Sequence, residues 1–87
     1  MIYLPVIASS EYIAFQKPLR NHIPSAYDKW LKLHAMWHRH CVAERIETRS
    51  VHVDPHRFAQ HLKATGRPAN LDELMAFTEI TASGKAH

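Results

Sequence analysis

The sequence predicts an α+β fold in which four helices pack on a small two-stranded sheet, in the order β-α-α-β-α-α. Three observations support this prediction. Two short runs are rich in Ile, Val and Thr, which is typical of strands. Apolar residues elsewhere recur at spacings of three and four, which is typical of amphipathic helices. Finally, Asp54 and Asn70 stand where helix caps are expected, immediately before such stretches.

The first strand and the first helix are predicted from the opening twenty residues. Residues 2–7 are apolar, and Pro5 among them fits an edge strand because proline removes one ladder donor. Ser9 and Ser10 are candidate caps of a helix that Pro18 shortens or bends. The apolar positions of that helix are Tyr12, Phe15 and Leu19.

A long central helix is predicted from residue 26 to about residue 43, where neither proline nor glycine interrupts the chain. Ser25 is its candidate N-cap, with Asp28 three residues later as in a capping box. At ~100° per residue, one face collects six aromatic, histidine and cysteine side chains. They are Tyr27, Trp30, His34, Trp37, His38 and Cys41.

The second half of the chain predicts one strand and two helices. Residues 45–53 form the strand, and Asp54 then caps a helix whose first residue is Pro55. Gly66 is placed to end that helix in a left-handed cap. Asn70 with Glu73 makes the capping pair of the last helix. Residues 1–82 are therefore expected to form one globular domain, with residues 83–87 as a frayed tail.

One apolar core is expected to join these elements. Its predicted members are Tyr12, Phe15, Tyr27, Trp30, Leu31, Trp37, Val51, Val53, Phe58, Leu62, Leu74 and Phe77.

The spacing of these residues resembles a family of small uncharacterised bacterial proteins. The shared pattern is YxxF from Tyr12, PxxYDxWL from Pro24, VxVDPxxF from Val51 and a closing Leu74-x-x-Phe77, and it covers most of the chain. Members of that family often have a glycine before the second strand, where this chain has Ala43-Glu44-Arg45. The resemblance implies a one-domain bacterial protein and carries no activity.

Composition excludes some classes of protein and indicates where the chain works. The chain has 87 residues, a formal net charge of +3 and one cysteine, Cys41, so no disulfide can form within it. We expect a cytoplasmic protein, because no secretory leader or membrane span is recognisable.

Nucleic acid is not the expected partner. The basic residues are dispersed along the chain, and the last helix carries Asp72, Glu73 and Glu79 but no Lys or Arg. Any such contact would use Lys29, Lys32, Arg39, Arg45 and Arg49.

The chain is unusually rich in histidine, with eight such residues. His34, His38 and Cys41 lie four and three residues apart on one helix face, and imidazole and thiolate ligands suit zinc. The alternative is structural: His34 hydrogen-bonded in the core, His38 exposed and Cys41 a small apolar filler. A pH response of the histidines and a nucleophilic Cys41 are further, less favoured hypotheses.

The leading functional expectation is a small, non-catalytic protein-interaction module that acts as a homodimer. A chain of this size buries little core, and a two-stranded sheet leaves its edges unpaired. Residues 2–7 and 45–53 are the candidate contact strands, with Tyr3 and Ile7 as flanking apolar contacts. The alternative function is a zinc-binding protein or metal-dependent enzyme that uses His34, His38 and Cys41.

Overall fold

The computed structural model describes residues 1–84, and their order of elements confirms the α+β prediction. The strands are β1 (Ile2–Val6) and β2 (Thr48–His52). The helices within the described residues are α1 (Tyr12–Leu19), α2 (Tyr27–Ala43), α3 (Pro55–Thr65) and α4 (Leu71–Ser83). Short 3-10 turns at Ser9–Glu11 and Arg20–His22 flank α1.

The two strands pair in parallel, with Ile2 opposite Thr48 and Val6 opposite His52. A parallel pair needs a long crossover connection, which α1 and α2 provide here. The central helix α2 runs back along β1, where the Tyr27 hydroxyl donates a hydrogen bond of 2.7 Å to the Ile7 carbonyl. The last helix, α4, lies against β1 and, less extensively, against β2. The first strand is therefore covered by α4 more extensively than the second strand is, and it is the more buried of the two.

The core cluster contains most of the predicted residues and several that the sequence did not reveal. Tyr12, Phe15, Trp30, Val53, Phe58, Leu74 and Phe77 are buried in it, and Tyr27, Trp37 and Leu62 pack against it while partly exposed. Two predictions were wrong. Leu31 is 50% exposed, because it lies a quarter turn away from Trp30 on the solvent side of α2. Val51 is only half-buried, because helices cover β2 less completely than β1.

Four further buried side chains were absent from the predicted core. They are Leu4, Ile7, Leu19 and Ile23, of which Leu19 had been predicted only as an apolar position of the first helix.

Two of the predicted helix caps are present as expected. Asp54 Oδ1 accepts a 2.8 Å hydrogen bond from the His56 amide, and Asn70 Oδ1 accepts one of the same length from the Glu73 amide. Gly66 ends α3 with φ 67°, in the left-handed region. These three positions confirm that the boundaries of α3 and α4 follow from local chemistry.

The caps predicted for the first two helices were wrong. Ser9 and Ser10 lie in a 3-10 turn whose backbone bonds replace a side-chain cap, and α1 begins at Tyr12. At α2, the N-cap is Ala26 and makes no side-chain bond. Ser25 lies one residue too early to cap α2, and its carbonyl instead accepts a 2.8 Å bond from Gln16 Nε2.

Two boundaries also shift. Residues 45–47 belong to the turn that ends α2 rather than to β2, because the Ile46 amide donates back to the Cys41 carbonyl. In that turn Arg45 has φ 57°, in the left-handed region that residues other than glycine seldom adopt. The helix α4 continues to Ser83, the first residue of the predicted tail, and ends at Gly84 with φ 72°. Residues 85–87 lie outside the described part of the chain.

The Asp54 cap supports a first prediction. Replacing Asp54 with Ala should lower the free energy of unfolding by about 0.5–2 kcal/mol, because the His56 amide loses its acceptor. Replacing it with Asn should change stability little, since the amide oxygen can accept the same bond. Urea denaturation of both variants and the parent measures the difference. Equal losses from the two substitutions would show that the carboxylate charge matters, rather than the cap.

Candidate functional site

The predicted metal ligands lie on α2, but they do not form one cluster. His34 lines a small cavity of about 110 Å³ with Val6, Ile7 and Trp30. His38 is exposed one turn later. Cys41 is buried, 5% exposed, in a different cavity beside Leu4. Across residues 1–84 no three His, Cys, Asp or Glu residues lie close enough to hold a metal ion. Zinc binding by His34, His38 and Cys41 stays a prediction, which metal analysis of untagged protein would test.

The surroundings of His34 change the pKa of its imidazole. Burial lowers the pKa of His34, and positive charge on His38 lowers it further. The Nε2 atom is buried without a hydrogen-bond partner among the described residues, contrary to the expected core hydrogen bond. Since the folded state disfavours protonation here, His34 should reduce stability as the pH falls below the ordinary value of about 6.5.

The outer edge of β2 carries backbone groups that do not bond to β1. Ile2 donates from its amide to the Glu47 carbonyl at 2.8 Å, and Val53 donates to the Val6 carbonyl at 3.1 Å. In a parallel pair, alternate residues of each strand bond to the neighbour. The intervening residues of β2 therefore turn their amide and carbonyl groups away from β1. These residues are Thr48, Ser50 and His52.

Side chains along β2 leave this edge accessible. Arg49, Ser50 and His52 are exposed, and Thr48 and Val51 are half-buried. Near the end of the strand, His52 Nε2 lies 2.8 Å from Glu11 Oε1, so the His52 ring is drawn towards the start of α1. A row of backbone donors and acceptors is therefore available along one short strand, which is the arrangement that an added strand can use.

The outer edge of β1 differs from that of β2, because it contains a proline and its residues are more buried. Pro5 is buried. Its backbone nitrogen and carbonyl face away from β2, so the lack of an amide hydrogen at Pro5 removes no hydrogen bond between the two strands. Ile7 is 1% exposed, and Tyr3 is half-buried beside α4. The two candidate contact strands are thus not equivalent, and Ile7 is too buried to flank an interface. Of the two strands, β2 is the more exposed.

A histidine-carboxylate contact joins α3 to α4 and was not foreseen. His61 Nε2 lies 2.7 Å from Glu73 Oε1, and both side chains are largely buried, at 15% and 9% exposed. Arg67 approaches the second Glu73 oxygen at 3.8 Å, and the His61 ring lies 5.2 Å from that of Phe77. The sequence predicted Glu73 only as the partner of Asn70 in a helix cap. The three-residue spacing of that pair gives no information about the contact between Glu73 and His61.

This contact supports a second prediction. Replacing Glu73 with Ala should destabilise the protein by about 1–3 kcal/mol, because a largely buried imidazole loses its partner. The control is Glu79→Ala on the same helix, where the side chain is exposed and a change within about 0.5 kcal/mol is expected. Chemical denaturation at neutral pH compares the two. Similar effects from both would contradict a stabilising role for the pair.

The basic side chains lie mainly on exposed surface. Lys29, Lys32 and Arg39 are exposed along α2, and none of them forms a salt bridge with another described residue. Their dispersal agrees with a solvated helix face, and the expectation that nucleic acid is not a partner stays a prediction. Among the helices of residues 1–84, none is both long enough and apolar enough to cross a membrane.

Comparisons of the chain with family models, with curated protein sequences and with solved structures found no match.

Proposed function

We propose that the chain is a small, non-catalytic interaction module that forms a homodimer by pairing the β2 edges of two copies. The observation that carries this proposal is the exposed outer edge of β2, beside a β1 strand that is more buried and more extensively covered by α4. Isolated two-stranded sheets are marginal in water, and parallel ones are normally covered on both sides. Pairing two copies would make four strands and would cover both open edges at once.

The sequence of β2 favours one antiparallel register, centred on Ser50. In this register Ser50 lies opposite Ser50 of the second copy, and Thr48 lies opposite His52. All three outward-pointing residues can then bond, which gives about six backbone hydrogen bonds. Arg49 lies opposite Val51. A register centred on Arg49 would oppose two guanidinium groups, which is unfavourable.

The proposed dimer is expected to be weak. Five residues on each side bury less than the ~1,200 Å² typical of a stable interface. A dissociation constant of roughly 10–100 μM is therefore expected, and monomer and dimer would exchange with concentration. We further propose that the module works in the cytoplasm, with Cys41 as a single buried thiol in a reducing compartment.

Sedimentation equilibrium over a wide concentration range tests the dimer. The parent should shift from monomer to dimer mass below about 200 μM, as the expected affinity requires. A single species of monomer mass up to high micromolar concentration would overturn the homodimer and the function proposed from it.

Charge variants at Ser50 test the interface itself. Ser50→Lys and Ser50→Glu each place two like charges opposite one another, so each variant should weaken dimerisation by about 5–10-fold, or ~1 kcal/mol. An equal mixture of the two variants should dimerise at least as well as the parent. Ser50 is exposed, so both variants should fold, which circular dichroism can verify. Dimerisation that is the same in the parent, the single variants and the mixture would place the interface elsewhere.

A further inference from the structure

We propose that a groove between β1, α2 and α4 binds a small apolar molecule that carries one cationic amine. The groove is formed by two neighbouring cavities of about 330 and 320 Å³. Both are lined by Ile2, Asp72 and Met75, so they share a wall. This site is separate from the open edge of β2, and it does not depend on the homodimer.

The first cavity has a mainly apolar lining. Leu4, Trp37, Cys41 and Leu71 contribute its walls, together with the shared Met75, and His40 is the polar residue added by α2. The Trp37 ring packs edge-on against Trp30 at a centroid distance of 5.8 Å and an interplanar angle of 87°, which fixes its orientation. A volume of about 330 Å³ lies at the lower end of the ~300–1,000 Å³ typical of ligand pockets. An aromatic ring or a short branched chain fits this space.

The second cavity supplies negative charge. Asp72 and Glu79 line it, seven residues apart on the same face of α4, opposite Met1 and Tyr3. The two carboxylates outnumber the single α-amino group of Met1. Both are exposed, and neither forms a salt bridge with another described residue. The helix α4 has no Lys or Arg, although the whole chain carries a net charge of +3. Its carboxylates therefore make a local negative patch on a basic protein.

Together the two cavities select for one class of ligand. An apolar body displaces water from the walls formed by Leu4, Trp37 and Leu71, and an ammonium group reaches the carboxylates of Asp72 or Glu79. A carboxylate ligand would be repelled by the same two side chains. A neutral ligand would gain the apolar contact alone, so an amine should bind more tightly than an alcohol of the same shape.

The test uses 2-phenylethylamine as the probe and 2-phenylethanol as its uncharged counterpart. Backbone amide chemical shifts of the full chain, labelled with ¹⁵N, are followed during each titration at pH 8, where histidines carry little charge. The amine should bind with a dissociation constant of about 0.1–1 mM, and the alcohol at least about 5-fold more weakly. Shift changes should concentrate at Leu4, Leu71 and Met75, with little change at Ser50.

Two variants and a control separate charge from apolar contact. Asp72→Asn combined with Glu79→Gln should remove the preference for the amine and leave binding of the alcohol unchanged. Met75→Trp should fill the groove and weaken both ligands. Glu47→Gln, which removes an exposed carboxylate at the start of β2, should preserve the preference. Unchanged amide spectra of the free variants would show that they fold.

Three results would overturn the proposed site. They are no saturable binding of the amine up to about 10 mM, equal affinity of the parent for amine and alcohol, or shift changes centred away from the groove.

Discussion

Replacing Trp30 with Ala is expected to lower the free energy of unfolding by about 3–5 kcal/mol. The indole is 1% exposed, and it contacts the Tyr12 ring at a centroid distance of 6.1 Å. Removing it would leave a cavity between α1, α2 and β1. A domain of this size has a total stability at the low end of ~5–15 kcal/mol, so much of the folded population would be lost at physiological temperature.

Thermal and urea denaturation followed by circular dichroism measure this effect. The matched control is Leu31→Ala, because Leu31 is the next residue on the same helix and is 50% exposed. That control should lose less than about 1 kcal/mol. If the Trp30 variant melted cooperatively within a few degrees of the parent, the central place of Trp30 in the core would be refuted.

Replacing Phe58 with Ala should have an effect of similar size, about 3–5 kcal/mol, for a different reason. Phe58 is fully buried, at 0% exposed, and its ring lies between those of Phe15 at 5.7 Å and Phe77 at 5.4 Å. It therefore links α3 to both α1 and α4. Losing it removes aromatic contacts to two helices at once.

A graded series tests the role of Phe58. Phe58→Leu keeps most of the apolar volume and should cost less than about 1.5–2 kcal/mol, well below the loss from Phe58→Ala. Ile13→Ala is the surface control on α1, since Ile13 is 70% exposed, and it should change stability little. Guanidinium denaturation measures all three variants. Equal losses for Phe58→Leu and Phe58→Ala would mean that ring stacking, rather than buried volume, accounts for the stability.

The parts of the fold that could be predicted are those set by neighbouring residues. Asp54 and Asn70 cap helices because their side chains reach amides two or three residues later, and the spacing alone expresses this. Ser25 has the residue type and spacing of an N-cap, but it does not cap α2, because the helix begins one residue later and Ala26 occupies the N-cap position. Local patterns therefore predict that a helix exists more securely than where it starts.

The parts that could not be predicted depend on contacts distant in sequence. The parallel pairing of Ile2 with Thr48 needed a crossover whose path no local pattern expresses. The contact of His61 with Glu73 depends on the angle at which α3 meets α4. Similarly, His34, His38 and Cys41 share a helix face by spacing. The structure instead places His34 and Cys41 in two different cavities formed with β1 and α4, and it leaves His38 exposed.

Parallel pairing also has a consequence for the chain during synthesis. The strand β1 is made first, but its partner β2 follows about 46 residues later, a delay of roughly 2–9 s at ~5–20 residues per second. The helix α4, which covers β1, is made later still. For those seconds Leu4 and Ile7 lack the neighbours that bury them in the finished fold. The nascent β1 segment therefore has neither its partner strand nor its covering helix until most of the chain has been made, so the fold can close only late in synthesis.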